Sequence, residues 1–498
     1  MRIVDTAEMR AAEAAAFARG VSGFQLMRQA GRAAAELITS QVRRFGFSRI
    51  VFLCGGGNNA GDALVAASML AYDFPCILYL SRPLSELHGA AAEAAATLPE
   101  KLTAEAVSDF DALELRSGDL VIDGLLGIGL QGEVRRPLAD VIRRVNELRL
   151  PVIALDVPSG MDSDSGRGCV PDGTALRASC TITFGMPKRG LFTLEGIAFS
   201  GPVHIADIGL SEAAGMKSVA AYSELEAVRD LPRFDVDTHK TRRGKLLVMA
   251  GSRRYPGAAA LAAVTGLRGG AGLVRLLHPE GAGSRLPHSV IPVALRATGQ
   301  GGFATAPDWN EYPGAAALVA GPGWGDDVPL EVLQKVLDFP GALLLDADAL
   351  NLLARHPDSW RGRKDVIMTP HPGEAERLRR AFGIPVALDR VQLAEMLAER
   401  TGAVIVLKGP RTVVAAKNLG LSLNISGSAD LATAGSGDVL SGLIGALLTN
   451  GMSAYSAARL GVFIHGRAGE LCGRGCIADD LPMAICTVME KLENKLFF

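Results

Sequence analysis

A chain of 498 residues exceeds the length at which one hydrophobic core usually stops growing, so two domains are expected, each able to bury a full core. The composition, 48% hydrophobic with 58 glycines and only 5% aromatics, suits an α/β protein with many tight strand-to-helix turns and argues against a β-sandwich or disorder. Lys and Arg number 51 against 53 Asp and Glu, a net charge of −2, which offers no general field for nucleic acid or an anionic membrane; neither partner is expected, and any phosphate must be held locally.

The opening stretch MRIVDTAEMRAAEAAAF carries Asp5, Glu8 and Glu13 where a secretory signal would need an unbroken apolar core, so no signal is expected there. Short apolar runs then alternate with helix-like segments: RIVFLC (49–54), a helix over 61–72, CILYL (76–80), a helix over 87–97, DLVID (119–123), a helix over 137–147 and PVIALD (151–156). That alternation predicts a parallel, doubly wound sheet, which CTITFG (180–185) and PVHIADIGL (202–210) would extend. From Ser211 to Arg243 the pattern decays into Ala, Ser and charge, which reads as a linker and the loop leading into a second domain. A second α/β series begins at KLLVMAG (245–251) and runs through LVRLL (273–277), ALVAG (317–321), ALLLDAD (342–348), DVIMT (365–369) and AVIVLKG (403–409), then short runs near 412–415 and 420–424. Apolar helices over 436–449 and 453–469 close the chain. No uncharged run is long and apolar enough to span a bilayer. The seven cysteines are odd in number and scattered, which disfavours a disulfide framework and fits a reducing, cytoplasmic setting; CGRGC (472–476) has no second pair, and His465 adds at most one metal ligand.

The turn GGGNNA (55–60) matches G-x-G-x-x-A directly after a strand, a weak Rossmann signal, but CILYL ends in Ser81-Arg82 without the acid that would hold a ribose 2′-hydroxyl. Asn58, Asn59 and Asp62 can equally serve as turn and capping residues. Their company argues for more. Asp123 ends one strand, Asp156 ends another and Ser159 follows, and in an open parallel sheet ligands bind at the carboxyl ends of strands. Amide, carboxylate and hydroxyl oxygens are hard donors suited to a hard cation, with a second carboxylate beside them to move a proton.

GGGNNAGDALVAA, VIDGLLGIGLQGEVRRP and ALDVPSGMD stand in the order and approximate spacing of the three motifs of the NAD(P)H-hydrate epimerases, and the first half resembles that family. The resemblance implies a Rossmann-like domain that interconverts the R and S hydrates of NADH and NADPH. By matching positions it implies that Asn59, Asp123 and Ser159 hold a potassium ion. Asn58, Asn59, Ala60, Gly61 and Asp62, with the loop Gly127, Ile128, Gly129, Leu130, Gln131, Gly132 and Glu133, would hold the hydrate. Asp156 would contact it and act as the catalytic acid and base. The family usually reads N-N-G-G-D-G, whereas this chain has Ala60 and Ala63; methyls there are tolerable if neither position has φ > 0, but would narrow the pocket if they faced it.

In ATAGSGDVLSG (432–442), Gly435 and Gly437 leave backbone N–H groups open at the start of a helix, a site for phosphate. Asp438 would repel that phosphate unless it serves as the base for a hydroxyl attacking it; the bland reading is a capping turn. No G-x-x-x-x-G-K-[ST] occurs, which disfavours a P-loop enzyme. A-G-S-G-D before an apolar helix resembles the ribokinase-like superfamily, whose equivalent aspartate is the catalytic base. HKTRRGKLLVMAGS, YPGAAALAA, AGPGWG, LDADALN, TPHPGEAERL, VLKGPRT and LATAGSGDVLSG together resemble the nucleotide-dependent NAD(P)H-hydrate dehydratases over nearly all of residues 238–450. That resemblance implies that Ala258, Gly323, His371 and Asp438 contact the S hydrate, with Asp438 as base. Lys408, Gly409, Pro410, Arg411 and Thr412 would wrap the nucleotide, together with Ser428, Ala429, Asp430, Leu431, Ala432, Thr433, Ala434, Gly435, Ser436 and Gly437.

The expectation is therefore an α/β protein of two domains, a Rossmann-like doubly wound sheet and a ribokinase-like domain: an epimerase domain at 1–212, a linker and lead-in loop at 213–240, and an ADP-dependent dehydratase domain at 222–498 that the linker partly overlaps. Its substrates would be the small-molecule hydrates NADHX and NADPHX. The fused arrangement resembles the bacterial form, which implies ADP rather than ATP as phosphoryl donor, with magnesium as its companion. A homo-oligomer is expected. The alternative is a ribokinase-like vitamin or sugar kinase whose N-terminal domain is a non-catalytic binding module; retention of both Asp123 and Asp156 argues against it.

Overall fold

The computed structural model describes residues 2–104, 110, 113–210, 219–387 and 389–495, and the chain divides into two compact units, Met1–Ser218 and Val219–Phe498. In the first unit one sheet is built from β1 (Arg49–Cys54), β2 (Cys76–Leu80), β3 (Asp119–Gly124), β4 (Val152–Leu155), β5 (Cys180–Phe184) and β6 (Val203–Ala206), in the spatial order β2-β1-β3-β4-β5-β6, all parallel. Alternation along β1 shows why both faces must be covered: Ile50, Phe52 and Cys54 join one apolar cluster, while Val51 and Leu53 join another. The first cluster includes helices Gly23–Phe45 and Asn58–Leu70; the second includes Leu138–Leu148.

Two helices before β1 were not anticipated from the sequence. Thr6–Ala18 and Gly23–Phe45 each begin with a reciprocal capping box, Asp5 with Glu8 and Ser22 with Gln25, a local signal readable in the residues.

In the second unit β7 (Val219–Ala221) is followed by β8 (Lys245–Met249), β9 (Leu273–Pro279), β10 (Val290–Leu295), β11 (Ala315–Ala320), β12 (Ala342–Leu345), β13 (Val366–Met368), β14 (Val404–Leu407), β15 (Val413–Ala416) and β16 (Gly420–Leu423). Their order is β7-β16-β15-β14-β13-β12-β11-β8-β9-β10, with antiparallel pairing only at β14/β15 and β15/β16. Helix Ser436–Thr449 is buried on nearly every side, as its apolar sequence requires. It packs against helix Pro256–Arg268 so closely that a Cβ on Gly442 would lie 2.2 Å from the Ala262 carbonyl oxygen.

Three further differences have local causes. Residues 213–218 of the expected linker lie outside the described residues, but Val219–Ala221 pair with β16 and Glu224–Asp230 form a helix. That segment looks polar in sequence because its partners are distant: Glu226 pairs with Arg459, which also lies 4.4 Å from the ring centroid of buried Tyr222. Strand β10 escaped notice because much of it is exposed, so it lacks a clean apolar alternation. The chain closes with a further helix, Leu481–Asn494, started by Pro482. Among the described residues no helix is long and apolar enough to cross a membrane.

Candidate active sites

In the first unit β1 runs into Gly55, where a Cβ would sit 1.8 Å from the Leu125 carbonyl oxygen; only glycine lets these two strand-end turns meet. Asn59, buried in the first turn of the following helix, donates from Nδ2 to Leu126 O at 2.8 Å, while its buried Oδ1 has no hydrogen-bond partner. Asp123, fully buried in β3, accepts from the Ser159 hydroxyl and, at 2.8 Å, from the Ser159 N–H. The Leu126 N–H donates to Ser159 Oγ at 2.9 Å. Asn59, Asp123 and Ser159 thus meet around residue 126. Burial pushes the Asp123 carboxyl up to about 6 against the pull of the hydrogen bonds from Ser159 and Leu125. An orphaned amide oxygen beside a carboxylate and a hydroxyl is a donor set that fits a hard monovalent cation.

Asp156 follows β4 in the left-handed region, φ 62°, which turns its carboxylate toward β5. It accepts from Lys188 Nζ and, at 3.3 Å each, from Thr183 Oγ1 and the Phe184 N–H. Lys188 is fully buried and spends its other two protons on Phe184 O at 2.8 Å and Thr183 Oγ1 at 3.2 Å. Sequence reasoning missed this lysine; its sole signal was a position just past a strand end in GMPKRG. Asp62 and Glu13 complete the cluster. Burial, then repulsion from Asp156, raises both carboxyls against the pull of Lys188, Asp62 well above its ordinary range.

Of the expected hydrate contacts, Gly127 packs on Asn59, its would-be Cβ 3.4 Å from the Asn59 Cβ, and Ile128 packs against the cluster containing Val4 and Met9. Gly129, Gln131, Gly132 and Glu133 stand exposed, and Leu130 packs on the opposite apolar cluster. Ala60 and Ala63 lie within a helix, outside the positive-φ residues, and are wholly buried in the core, so their methyls fill packing space rather than a pocket mouth.

In the second unit the groups collect at the carboxyl ends of parallel strands, where such sheets bind ligands. Asp346 follows β12 and is almost wholly buried, accepting from Lys408 Nζ at 2.7 Å and Ser441 Oγ at 2.7 Å. Lys408 follows β14, and its Nζ lies 3.4 Å from where a Cβ on Gly437 would stand, so the 408–412 and 435–438 segments meet there. Asp346 lies in LDADALN, where the sequence does not reveal its role, because a strand-end aspartate is common and its partners are 62 and 95 residues away.

Gly435 takes φ 88° to turn the chain into helix Ser436–Thr449, whose start has no side-chain capping bond. Asp438 is therefore not the cap. Burial and then repulsion from Asp346 push its carboxyl up to about 7, opposed by the Lys408 ammonium. His465, buried in helix Ala454–Cys472, sits 3.0 Å from the Ser436 carbonyl oxygen through Nε2; burial lowers it to about 4, so it supports the turn as a neutral donor.

His371 caps helix Pro372–Ala381: its Nδ1 accepts from the Gly373 N–H at 3.0 Å, which leaves the proton on Nε2. Its ring is thus suited to donate, not to take a proton. Glu374, almost wholly buried beneath it, is pushed up to about 7 by burial. Ala258 and Gly323 are neighbours, a Cβ on Gly323 falling 2.8 Å from the Ala258 Cβ, and Leu261 on the Ala258 helix touches Gly435. The Gly325 N–H donates to Asp348 at 2.9 Å, whose charge reaches Asp438. Ser428 caps the short turn Ala429–Leu431, and Leu431 packs on Gly469; Ala432 and Ala434 are exposed. Arg411 reaches Ile425 O, and Thr412 Oγ1 donates to Gly409 O at 3.0 Å.

The chain matches two family sequence models, "YjeF-related protein N-terminus" over residues 23–190 and "NAD(P)H-hydrate dehydratase" over residues 246–490. A protein of Coxiella burnetii named bifunctional NAD(P)H-hydrate repair enzyme Nnr is 38% identical over 493 residues, covering 95% of this chain and 96% of that protein. Its namesake in Escherichia coli is 34% identical over 477 residues, covering 93% and 88%. A Bacillus subtilis ADP/ATP-dependent NAD(P)H-hydrate dehydratase, co-crystallised with ATP and Mg2+, is 27% identical with a TM-score of 0.46, covering 56% of this chain and all of its own. With two relatives above 30% identity along nearly their whole lengths, this chain belongs to the family of bifunctional NAD(P)H-hydrate repair enzymes.

Proposed function

We propose that the chain repairs hydrated nicotinamide nucleotides, residues 1–212 epimerising the R and S hydrates of NADH and NADPH and residues 222–498 dehydrating the S hydrate at the expense of ADP. The observation that carries this reading is that each unit holds an aspartate in a setting made for proton transfer, Asp156 at a strand-end turn and Asp438 in the first turn of a helix. Asp156 is paired with a buried lysine, and Asp438 is half-buried beside Lys408 with its carboxyl pushed up to about 7.

In the first unit Asp156 takes the C6 hydroxyl proton as the C6–N1 bond opens and returns it when the ring recloses on the other face, while burial and repulsion from Asp156 raise the Asp62 and Glu13 carboxyls beside it. Asn59, Asp123 and Ser159 would hold potassium, whose positive charge would offset the Asp123 carboxylate.

In the second unit Asp438 removes the proton of the C6 hydroxyl as that oxygen attacks the terminal phosphorus of ADP. The bond to the bridging oxygen breaks, AMP departs, and a C6 phosphate ester remains. Loss of inorganic phosphate together with a C5 proton then restores the dihydropyridine. Hydroxide leaves carbon poorly at neutral pH, which is why a phosphoryl donor is consumed. Lys408 and the open N–H groups around Gly435 to Gly437 stabilise the phosphate, and Asp346 holds Lys408 in place. Magnesium would supply charge compensation for the phosphate oxygens. His371 Nε2, which lies 3.3 Å from Glu374 Oε1, would have to turn its proton from that carboxyl to an acceptor on the hydrate.

The test is to incubate the purified chain with mixed R and S hydrate and ADP and follow NADH absorbance together with AMP. Complete recovery of both epimers with AMP formed one for one supports the reading; a stable phosphorylated product without NADH would replace it with a kinase.

A further inference from the structure

Helix Arg390–Thr401 is capped by Asp389, whose side chain accepts from the Gln392 N–H at 2.8 Å, and this holds Arg390 at the helix start beside the end of β14. The two terminal nitrogens of Arg390 are spent on backbone, while its buried Nε has no partner. Nη1 donates to Pro410 O at 2.6 Å, and Nη2 donates to Lys408 O at 2.8 Å and Leu407 O at 3.2 Å. Three carbonyls from four consecutive residues converge on one cation. The backbone between them is irregular, with Gly409 at φ 135° and Arg411 at φ 54°.

A peptide group is planar and trans, so a carbonyl turned toward Arg390 sends the next residue's N–H the opposite way. The Gly409 and Arg411 N–H groups therefore face away from the guanidinium. Carbonyl dipoles that would repel a phosphate are turned onto a positive charge instead. Turning the carbonyls away lets the Gly409 N–H join the Lys408 ammonium in facing an anion, Pro410 having no N–H and the Lys408 N–H donating to Pro370 O. A lysine could not hold the arrangement, because its single ammonium lacks the two-nitrogen fork that spans residues 407 to 410.

The geometry points to Arg390 as the positioning residue for nucleotide recognition, folding the Lys408–Thr412 loop into its phosphate-binding shape without itself touching the nucleotide. This rests on the reading that the loop holds ADP. The role differs from general stabilisation, because it acts on nucleotide affinity while leaving the Asp438 turn and the hydrate contacts in place.

The experiment measures the full-length chain with pure S hydrate and varied ADP. Arg390→Met should raise KM for ADP about tenfold or more, the scale of a lost charge-assisted hydrogen bond, with kcat at saturating ADP within about threefold. Arg390→Lys should recover only part of that loss. Gly409→Ala keeps the arginine but pushes on its contact with the loop, since its Cβ would meet Arg390 Nη2 at 2.8 Å in a strained conformation, and it should give the same KM-specific defect. A thermal melt with the wild-type transition of the Val219–Phe498 unit, together with kcat at saturating ADP, reports that the mutated unit is folded. An unchanged KM for ADP in folded Arg390→Met, or in Gly409→Ala should the arginine variant not fold, overturns the proposal. Lys408→Met separates the layers. If it weakens ADP while Arg390→Met does not, the positioning role alone is lost; if neither does, the loop is not the nucleotide site.

Discussion

Replacing Asp438 with asparagine sets catalysis and stability against each other. A carboxyl held at about 7 instead of its ordinary 3.8 carries a penalty on its charged form of up to about 4 kcal/mol above pH 8. Its folded value is raised, so folding is favoured by protonation; that advantage is full below the unfolded value and is lost as pH rises through the folded one. Asparagine carries no charge, so the variant should be more stable than wild type by about 1 to 4 kcal/mol at pH 8.5, the lower figure allowing for solvent relaxation. The gain should fall to about half at pH 5.5 and vanish below about pH 4. For a unit of this size that is an increase of roughly 2 to 8 °C in the melting temperature at pH 8.5. Dehydration of S hydrate should meanwhile drop by roughly 10² to 10⁴, the usual cost of losing a general base, with ADP still bound. The assays are thermal melts of the full chain at both pH values and NADH recovery with AMP release. A cap would behave in the opposite way, losing about 1 kcal/mol at every pH where the carboxylate is charged and keeping turnover. A destabilised Asp438→Asn protein with near-normal turnover would refute the reasoning.

Three further outcomes are expected. Dehydration at limiting S hydrate should fall with acidity, about tenfold per pH unit below about 7, as Asp438 becomes protonated; a flat profile between pH 5.5 and 8 would exclude that carboxylate as the base. Lys188→Met removes the buried partner of Asp156 and should destabilise the first unit by about 3 kcal/mol and slow epimerisation by roughly 10² or more, with S-hydrate dehydration retained; epimerisation at the wild-type rate would detach the lysine from the site. Exchange of potassium for tetramethylammonium should lower epimerisation while leaving dehydration of pure S hydrate intact, and equal rates in both buffers would remove Asn59, Asp123 and Ser159 as cation ligands.

What the residues determine by themselves is whatever depends on near neighbours. Runs such as RIVFLC and ALLLD announce strands, glycine-rich turns announce where helices begin, and each motif places its aspartate at a strand end or helix start because that relation spans only a few residues. Capping boxes at Asp5 and Ser22 were equally legible, although the helices they start were passed over. The tertiary structure alone decides which of these groups share a site and in what electrostatic state. Lys188 reads as an ordinary strand-end lysine until the fold buries it against Asp156, 32 residues away. Asp346 acquires meaning only through Lys408 and Ser441, and Arg390 only through the carbonyls of a loop some 20 residues on. Ala60 and Ala63 depart from the family pattern in sequence, yet their helix turns both methyls into the core. The reason is common to all of them: burial and charge pairing depend on distance in space, and a parallel sheet brings together the ends of strands that the chain reaches only after a long crossover.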